Sequence, residues 1–585
     1  MPTRPLRRPA REAAWPLALV AGGLLLAIGL VDPFREMSTQ DDSWAYARTL
    51  LHWIRSGDYR LDNWSAANMP VQVFMAGSLA KVFGYSHTLL RCTTLALLVT
   101  GLTAFYGLLR EFGSSRPHAA LLTLTLLASP LTLMLSFTFM SDVQFLGWLL
   151  LSLWLMVRGL RRERLLHMLL GSTAAACAIG TRQFGLAILG GLLVAAISPC
   201  ARRRPVALRL LLAAAVLPVL AAVWQWQVGH NTPNFTQAFR LREQALFIAR
   251  PLDVLLWEGV WRVAMIVMYV GLLMLPAWPL VAGFLQPRIE PRDRSERTLY
   301  PFLAPVVLAL FMAALLTKAW LAGSGLTERP DPRPGIAAVV LPLHWMLPLA
   351  MQETGAPLFK LQIAGLLLAA WVGGLLLARA PAWRPLQTRP HGALVGGTGL
   401  SLVGLHLAYV QFNDTYLVSL LPFGLIAVAA LIRRARPTPR ALFAASTLGA
   451  MLLIAATSLW MRGSYNRQQA LWDAADALKA HGVASHRIAG SLHWLEYEGA
   501  FDDWLAAGAP GLDQARVPVK LVGEDPLHDP FYRWLALRNR HGDFWLEVSE
   551  KKAHPPGWRI TETKSYRDAL FNVQQVWTLS REKPD

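Results

Sequence analysis

Cysteine is almost missing from this chain: Cys92, Cys177 and Cys200 lie in or beside apolar stretches, and none follows. That excludes both a disulfide framework and a thiolate metal site. Acidic residues are also scarce, 37 against 56 Lys and Arg. The resulting charge of +19 would suit a nucleic acid, yet the arginines fall in clusters between apolar runs and build no single basic face. No polynucleotide partner is expected. His52, His230, His344 and His493 are scattered, with no i,i+4 His pair and no carboxylate at metal-site spacing. No cofactor is expected either; a divalent metal shared between Asp41, Asp42 and a distant loop is the one arrangement left open. There is no internal repeat and no long low-complexity tract.

What is present is apolar sequence, 54% of the chain, in repeated runs long enough to cross ~30 Å of hydrocarbon. The fold class predicted is a polytopic α-helical membrane protein. Spans are expected near residues 14–31, 87–109, 117–135, 142–160, 165–181, 184–199, 206–226, 257–284, 300–320, 357–378, 392–411, 415–432 and 441–460, about thirteen in all. Arg4, Arg7, Arg8 and Arg11 precede the first of them, which reads as a retained signal anchor. Further clusters at Arg158–Arg164, Arg202–Arg209, Arg288–Arg297, Arg379–Arg389 and Arg433–Arg440 alternate with short connections free of basic residues. The positive-inside rule then puts the N-terminus in the cytoplasm and, for an odd count, everything after Met461 outside it. Residues 335–351 are apolar but interrupted by Pro342 and Pro348, and read as re-entrant or interfacial.

Two domains follow: 1–460 in the membrane, with a first outer loop at 32–86, and 461–585 as a small extracytoplasmic α/β domain. The second is carried by a helical pattern over 470–480 and strand patterns over 487–492, 544–548 and 573–579. In the first outer loop, Ser43–Ser56 and Val71–Phe83 are apolar but too short to span. Trp44, Ala47, Leu51 and Ile54 recur at helical spacing, which predicts a helix lying in the headgroup plane. The tryptophans, Trp15, Trp44, Trp53, Trp64, Trp224, Trp226, Trp257 and Trp261 among them, read mainly as interfacial anchors.

That loop opens with Gln40-Asp41-Asp42-Ser43-Trp44-Ala45-Tyr46, continues through Ser56-Gly57-Asp58-Tyr59, and reaches Asn68-Met69-Pro70 before the second short helix. Ser141-Asp142 opens the fourth span, Thr181-Arg182-Gln183 follows the fifth, and Asn413-Asp414-Thr415-Tyr416-Leu417 comes late, with Pro422. In this order the features resemble the GT-C superfamily of polyprenyl-linked glycosyltransferases, in particular the bacterial relatives of protein O-mannosyltransferases and lipid A aminoarabinose transferases. The chain departs from that pattern at Asn68-Met69, where close relatives carry a basic residue and a second proline, and at Thr415, often Arg. The resemblance implies a GT-C fold and transfer of a sugar from a polyprenyl-phosphate donor to a hydroxyl of an envelope acceptor, protein or glycolipid. The place implied is the outer face of a bacterial inner membrane.

The residues suit that chemistry. Attack at an anomeric carbon needs a general base at the incoming hydroxyl, and a carboxylate serves; Asp41 is the candidate, with Asp42 and Asp142 beside it. The leaving phosphate needs cationic donors, for which Arg182 leads and Arg48 and Lys360 follow. One base and a single displacement would invert the anomeric centre. Each candidate has a plainer role: Asp41 or Asp42 capping the helix at Ser43, Asp142 capping its own span, Arg182 anchoring at a headgroup. Glu258 and Arg262, four apart, read as neutralising one another. Trp494, Glu496, Tyr497 and Glu498 suit a carbohydrate-binding face and a strand edge equally. A secondary transporter and a non-catalytic envelope scaffold are the competing functions; the transporter is disfavoured by acids clustered at one face and by the lack of corresponding halves.

Overall fold

The computed structural model describes residues 14–38, 42–62, 64–65, 67–231, 241, 244–280, 389–409, 414–432, 439–489, 494, 497–498, 544–548, 558–568 and 571–581. Spans expected at 300–320 and 357–378, the 335–351 stretch, Asp41 and Lys360 lie outside these residues.

Fifteen helices are described: α1 Ala14–Val31, α2 Ser43–Ser56, α3 Pro70–Phe83, α4 His87–Glu111, α5 Arg116–Ala128, α6 Pro130–Ser136, α7 Ser141–Arg162, α8 Leu165–Thr181, α9 Ala187–Ile197, α10 Pro199–Arg202, α11 Pro205–Asn231, α12 Leu252–Leu273, α13 Pro390–Ala408, α14 Leu421–Ile432 and α15 Arg440–Ala480. Among the described residues five helical segments are long and apolar enough to cross a membrane: α4, α7, α11, 415–432 and α15. Each is apolar over most of its length because nothing in lipid competes for the backbone, so the helix satisfies its own N–H and C=O groups. By length and composition the chain is a multi-pass membrane protein.

Two expected spans have a different shape. The one at 117–135 is two helices, α5 and α6, bent by 67°. Pro130 at the break has no N–H to give back to the preceding turn. The one at 415–432 begins as a 3-10 segment, Asp414–Ser419, and becomes α-helical only at Leu421. The helix expected in the headgroup plane is also different: Ser43 to Ala47, Thr49 and Leu50 of α2 are buried, so its first two turns are enclosed by protein except at Arg48. Trp44 accordingly is a core residue, 2% exposed, and no interfacial anchor.

Close packing at the bundle centre depends on glycine. A Cβ at Gly171 of α8 would sit 3.0 Å from the Met156 backbone nitrogen of α7, and one at Gly101 of α4 would sit 2.9 Å from Gly147 Cα of α7. Without side chains there, the backbones of α4, α7 and α8 approach directly, as membrane helices do where lipid supplies no hydrophobic drive.

The helical pattern at 470–480 is no separate element. It is the end of α15, which runs unbroken from Arg440 to Ala480 across residue 460. After it come β1 Ile488–Ala489, β2 Phe544–Val548, β3 Trp558–Arg567 and β4 Val573–Arg581, in the order β1-β2-β4-β3. β1 is parallel to β2 and the remaining pairs are antiparallel. β3 had no expectation in the sequence, because Thr, Glu, Lys and Ser fill its positions and it has no alternating apolar face.

The C-terminal part is tied to the membrane part by named bonds. Tyr465 gives its hydroxyl to the Phe137 carbonyl, Asn466 accepts from Arg35 and donates to the Arg567 carbonyl, and Tyr497 meets Tyr85. Trp494 is fully buried and donates to Asp476, while Tyr497 packs on His87 and Trp472. Trp494 therefore points inward, while Tyr497 is half-buried.

Candidate active site

The site is built where α7 begins and α8 ends. Asp142 lies in the first turn of α7, and Arg182 follows the last residue of α8 in extended conformation, φ −159° and ψ 138°. Antiparallel neighbours bring the electropositive start of one helix beside the electronegative end of the other, so each charge suits its own helix end. The two side chains form an ion pair, Arg182 Nη1 to Asp142 Oδ1 at 2.6 Å, with exposures of only 8% and 3%. Nη1 also donates to Ser141 Oγ at 3.1 Å.

The guanidinium lies over the Tyr416 ring, 4.5 Å from its centroid, and over that of Phe184 at 5.7 Å. Tyr416 stands in the 3-10 segment after α13, and Phe184 in the one after Arg182. Phe184 in turn stacks on His406 at 4.7 Å, and His406 meets the Leu402 and Tyr416 carbonyls. Sheltered from water, such cation–π contacts are worth more than at a surface. Both of Arg182's hydrogen bonds leave from Nη1, and among the described residues its other guanidinium nitrogens have no acceptor.

The segment that carries α2 and α3 closes over this pair. Ser43 Oγ, one residue into α2, accepts from the Phe139 N–H at 3.1 Å, and Gln72 of α3 donates to the Phe139 carbonyl at 2.7 Å. Both backbone polar groups of Phe139 are thus held, by two different helices, and Asp142 is three residues further on. Tyr46 of α2 is 2% exposed and sits in the fields of Asp42, Arg182, Asp142 and Tyr416. Burial, reinforced by Asp42, pushes its phenol far above the usual range, with Arg182 opposing. It is a neutral hydroxyl at any physiological pH.

Asp42 occupies the N-cap position of α2, but its side chain makes no capping bond. Oδ1 accepts instead from the Trp64 indole at 2.7 Å. Trp64 is held by its own N–H to Asp62 Oδ1 at 2.9 Å, and its ring lies 6.2 Å from that of Trp44. Arg48 pairs with Asp62 at 3.4 Å, in the turn that carries Trp64. The sequence-predicted residues therefore fall into two groups. Asp142 and Arg182 meet, while Arg48 is engaged by a carboxylate of its own loop.

Asn68 is fully occupied. Its Oδ1 accepts from Tyr59 at 3.1 Å, its Nδ2 donates to the Gln225 carbonyl at 3.2 Å, and its own carbonyl accepts from Gln225 Nε2 at 2.5 Å. This amide latch joins the segment before α3 to α11 at the position where the resemblance puts a basic residue. Glu258 and Arg262 behave as expected: they pair at 3.7 Å, and Arg262 also gathers the His406, Leu407 and Tyr409 carbonyls at the end of α13.

Sequence reasoning passed over Gln72, Ser43, Tyr46, Ser141 and Phe184 as site residues. Ser43, Tyr46 and Ser141 lie inside the motifs, but Gln72 carries only one signal, a polar amide in the apolar first turns of a short helix. Among the described residues no three His, Cys, Asp or Glu converge as a metal site.

No family model matches the chain, and no curated protein matches it by sequence. Among solved structures it is similar to ArnT from Cupriavidus metallidurans in the apo state, at 15% identity and TM-score 0.38, over 98% of this chain and 100% of that one. The same protein bound to undecaprenyl phosphate aligns at 17% identity and TM-score 0.37, over 98% and 100%. The archaeal oligosaccharyltransferase AglB from Archaeoglobus fulgidus, in complex with an inhibitory peptide and a dolichol-phosphate, aligns at 12% identity and TM-score 0.42, over 80% and 58%.

Proposed function

We propose that this chain is an inverting glycosyltransferase of GT-C type. It moves a sugar from a polyprenyl-phosphate donor to a hydroxyl of an envelope acceptor, protein or glycolipid, at the outer face of a bacterial inner membrane. The observation that carries the reading is the buried Asp142–Arg182 pair beneath the start of α2.

A buried ion pair of this kind contributes little net stability, so its retention asks for another purpose. Arg182 spends one nitrogen on Asp142 and Ser141, and the rest of its planar fork matches the two oxygens of a phosphate. As the bond to the anomeric carbon breaks, negative charge grows on the leaving phosphate, and a fixed cation on an aromatic seat meets it without reorganising. Asp41, directly before the N-cap of α2, is assigned as base for the acceptor hydroxyl, and Asp42, anchored to Trp64, holds that end of the loop.

A scaffold reading has one observation in its favour: Arg48 is bonded within its own loop and Asn68 is consumed by its latch. The deciding experiment compares envelope glycolipids and glycoproteins of a deletion strain, complemented with the wild type, Asp41→Asn or Asp142→Asn, by mass spectrometry. A sugar-sized mass restored by the wild type and by neither variant supports transfer. A mass unaffected by the deletion refutes it.

A further inference from the structure

Four buried side-chain oxygens that can only accept hydrogen bonds have no donor among the described residues: those of Gln72, Gln144 and Gln225, and Asp142 Oδ2. Two of the four flank the turn that leads into α7: Gln72 of α3, bonded to that turn at Phe139, and Asp142 at its end. Gln72 Nε2 holds the Phe139 carbonyl at 2.7 Å, and Asp142 opens α7 three residues later. Gln72 is 0% exposed and Asp142 4%. The amide orientation of Gln72 is settled by its partner: a carbonyl demands the NH2 group, so the oxygen is the end left over. Burying such an oxygen with no donor costs on the order of a tenfold to hundredfold factor in an equilibrium.

The missing donor has a definable chemistry. Arg182 already neutralises Asp142, so the turn does not call for a cation. It calls for a neutral O–H. We propose that Gln72 is a specificity-determining residue whose Oε1 accepts a hydrogen bond from one hydroxyl of the transferred sugar, beside the Asp142–Arg182 pair. This rests on the sugar-transfer reading above. It explains why a polar amide occupies the buried face of α3, where an apolar residue would pack at no such cost.

The test uses the full-length protein in detergent and synthetic short-chain polyprenyl-phosphate donors of the sugar found by mass spectrometry, each with one hydroxyl replaced by hydrogen. Wild type should lose roughly 10- to 100-fold in kcat/KM for one of these deoxy donors, the penalty of leaving a buried polar group unpaired. Gln72→Met, which keeps the length and drops the carbonyl, should lose a similar factor on the parent donor and no longer distinguish that deoxy donor from it. Gln72→Glu keeps an acceptor oxygen and should keep the discrimination even if slower.

A common slowing of every donor by Gln72→Met, or loss of discrimination in Gln72→Glu, would mean that Gln72 acts only through Phe139 and would overturn the inference. Parent transfer that is present in wild type and absent in Asp142→Asn, with no Gln72-dependent discrimination, sinks this inference alone. No transfer by wild type from any polyprenyl-phosphate donor sinks both.

Discussion

Splitting the Asp142–Arg182 pair should cost far more than removing it. At 2.6 Å and an effective dielectric of about 20, the attraction is on the order of 6 kcal/mol, against a desolvation penalty of several kcal/mol for each ion. The pair therefore nearly breaks even. Asp142→Leu leaves a buried guanidinium without its anion, and Arg182→Met leaves a buried carboxylate; each should destabilise by about 3–5 kcal/mol. The double variant restores neutrality with apolar groups of similar volume and should recover most of that loss. The assay is the fraction of monodisperse protein remaining after heating in detergent, read by size-exclusion chromatography across temperature for wild type, both singles and the double. Singles indistinguishable from wild type, or a double less stable than either single, would refute the argument that these charges are buried and mutually dependent. All three variants should be inactive if the pair serves transfer.

The other predictions concern the loop around it. Trp64→Phe removes a charge-assisted hydrogen bond to Asp42 and should destabilise by about 1.5–3 kcal/mol, measured in the same heating assay; Trp64→Phe in an Asp42→Asn background should cost less. Glu36 accepts from the His87 and Thr88 N–H groups at the start of α4. Burial raises its pKa, but these bonds and one from the Thr88 side chain outweigh it, so the net shift is below the ordinary 4.5. Its contribution is present above pH 4.5 and lost as pH falls through the lower folded value. Glu36→Gln should narrow the gap between stability at neutral and at acid pH, and an unchanged acid midpoint would count against it. Tyr46 and Tyr59 are both pushed above their ordinary 10.0, chiefly by burial, so the unfolded chain ionises first and stability falls as pH rises beyond that value. Tyr59→Phe should be less sensitive to alkali, though weaker at neutral pH for loss of its bonds to Asn68 and Met69. Gln225→Leu removes one of the two latch bonds, leaving Asn68 Nδ2 on the backbone carbonyl of residue 225, and should speed proteolysis in the loop at 57–69 while leaving α11 intact.

Most of the helices were readable from the chain because hydrocarbon imposes a length and a polarity that leave their mark residue by residue. The ends of α1, α3 and α8 fall within a residue of expectation, and those of α7 within two. Breaks were harder, since a proline announces that the chain must bend without saying by how much, and Pro130 bends it enough to make two helices. In the site, the helix-end positions of Asp142 and Arg182 marked each singly. Their partnership, and the arrival of Tyr416 from more than two hundred residues away, had no local signal. Asp42 shows the reverse: the capping signal was present in the sequence, and a distant indole took the carboxylate instead.

By itself, then, the sequence determined that this chain enters a membrane many times, where its helices lie, and which few charges are out of place there. These are properties of single segments against a solvent. Only the tertiary structure decided which of those charges neutralise one another, which amide is left with an oxygen and no donor, and which loop covers them. Such outcomes depend on distances of a few ångströms between residues that share no neighbourhood along the chain.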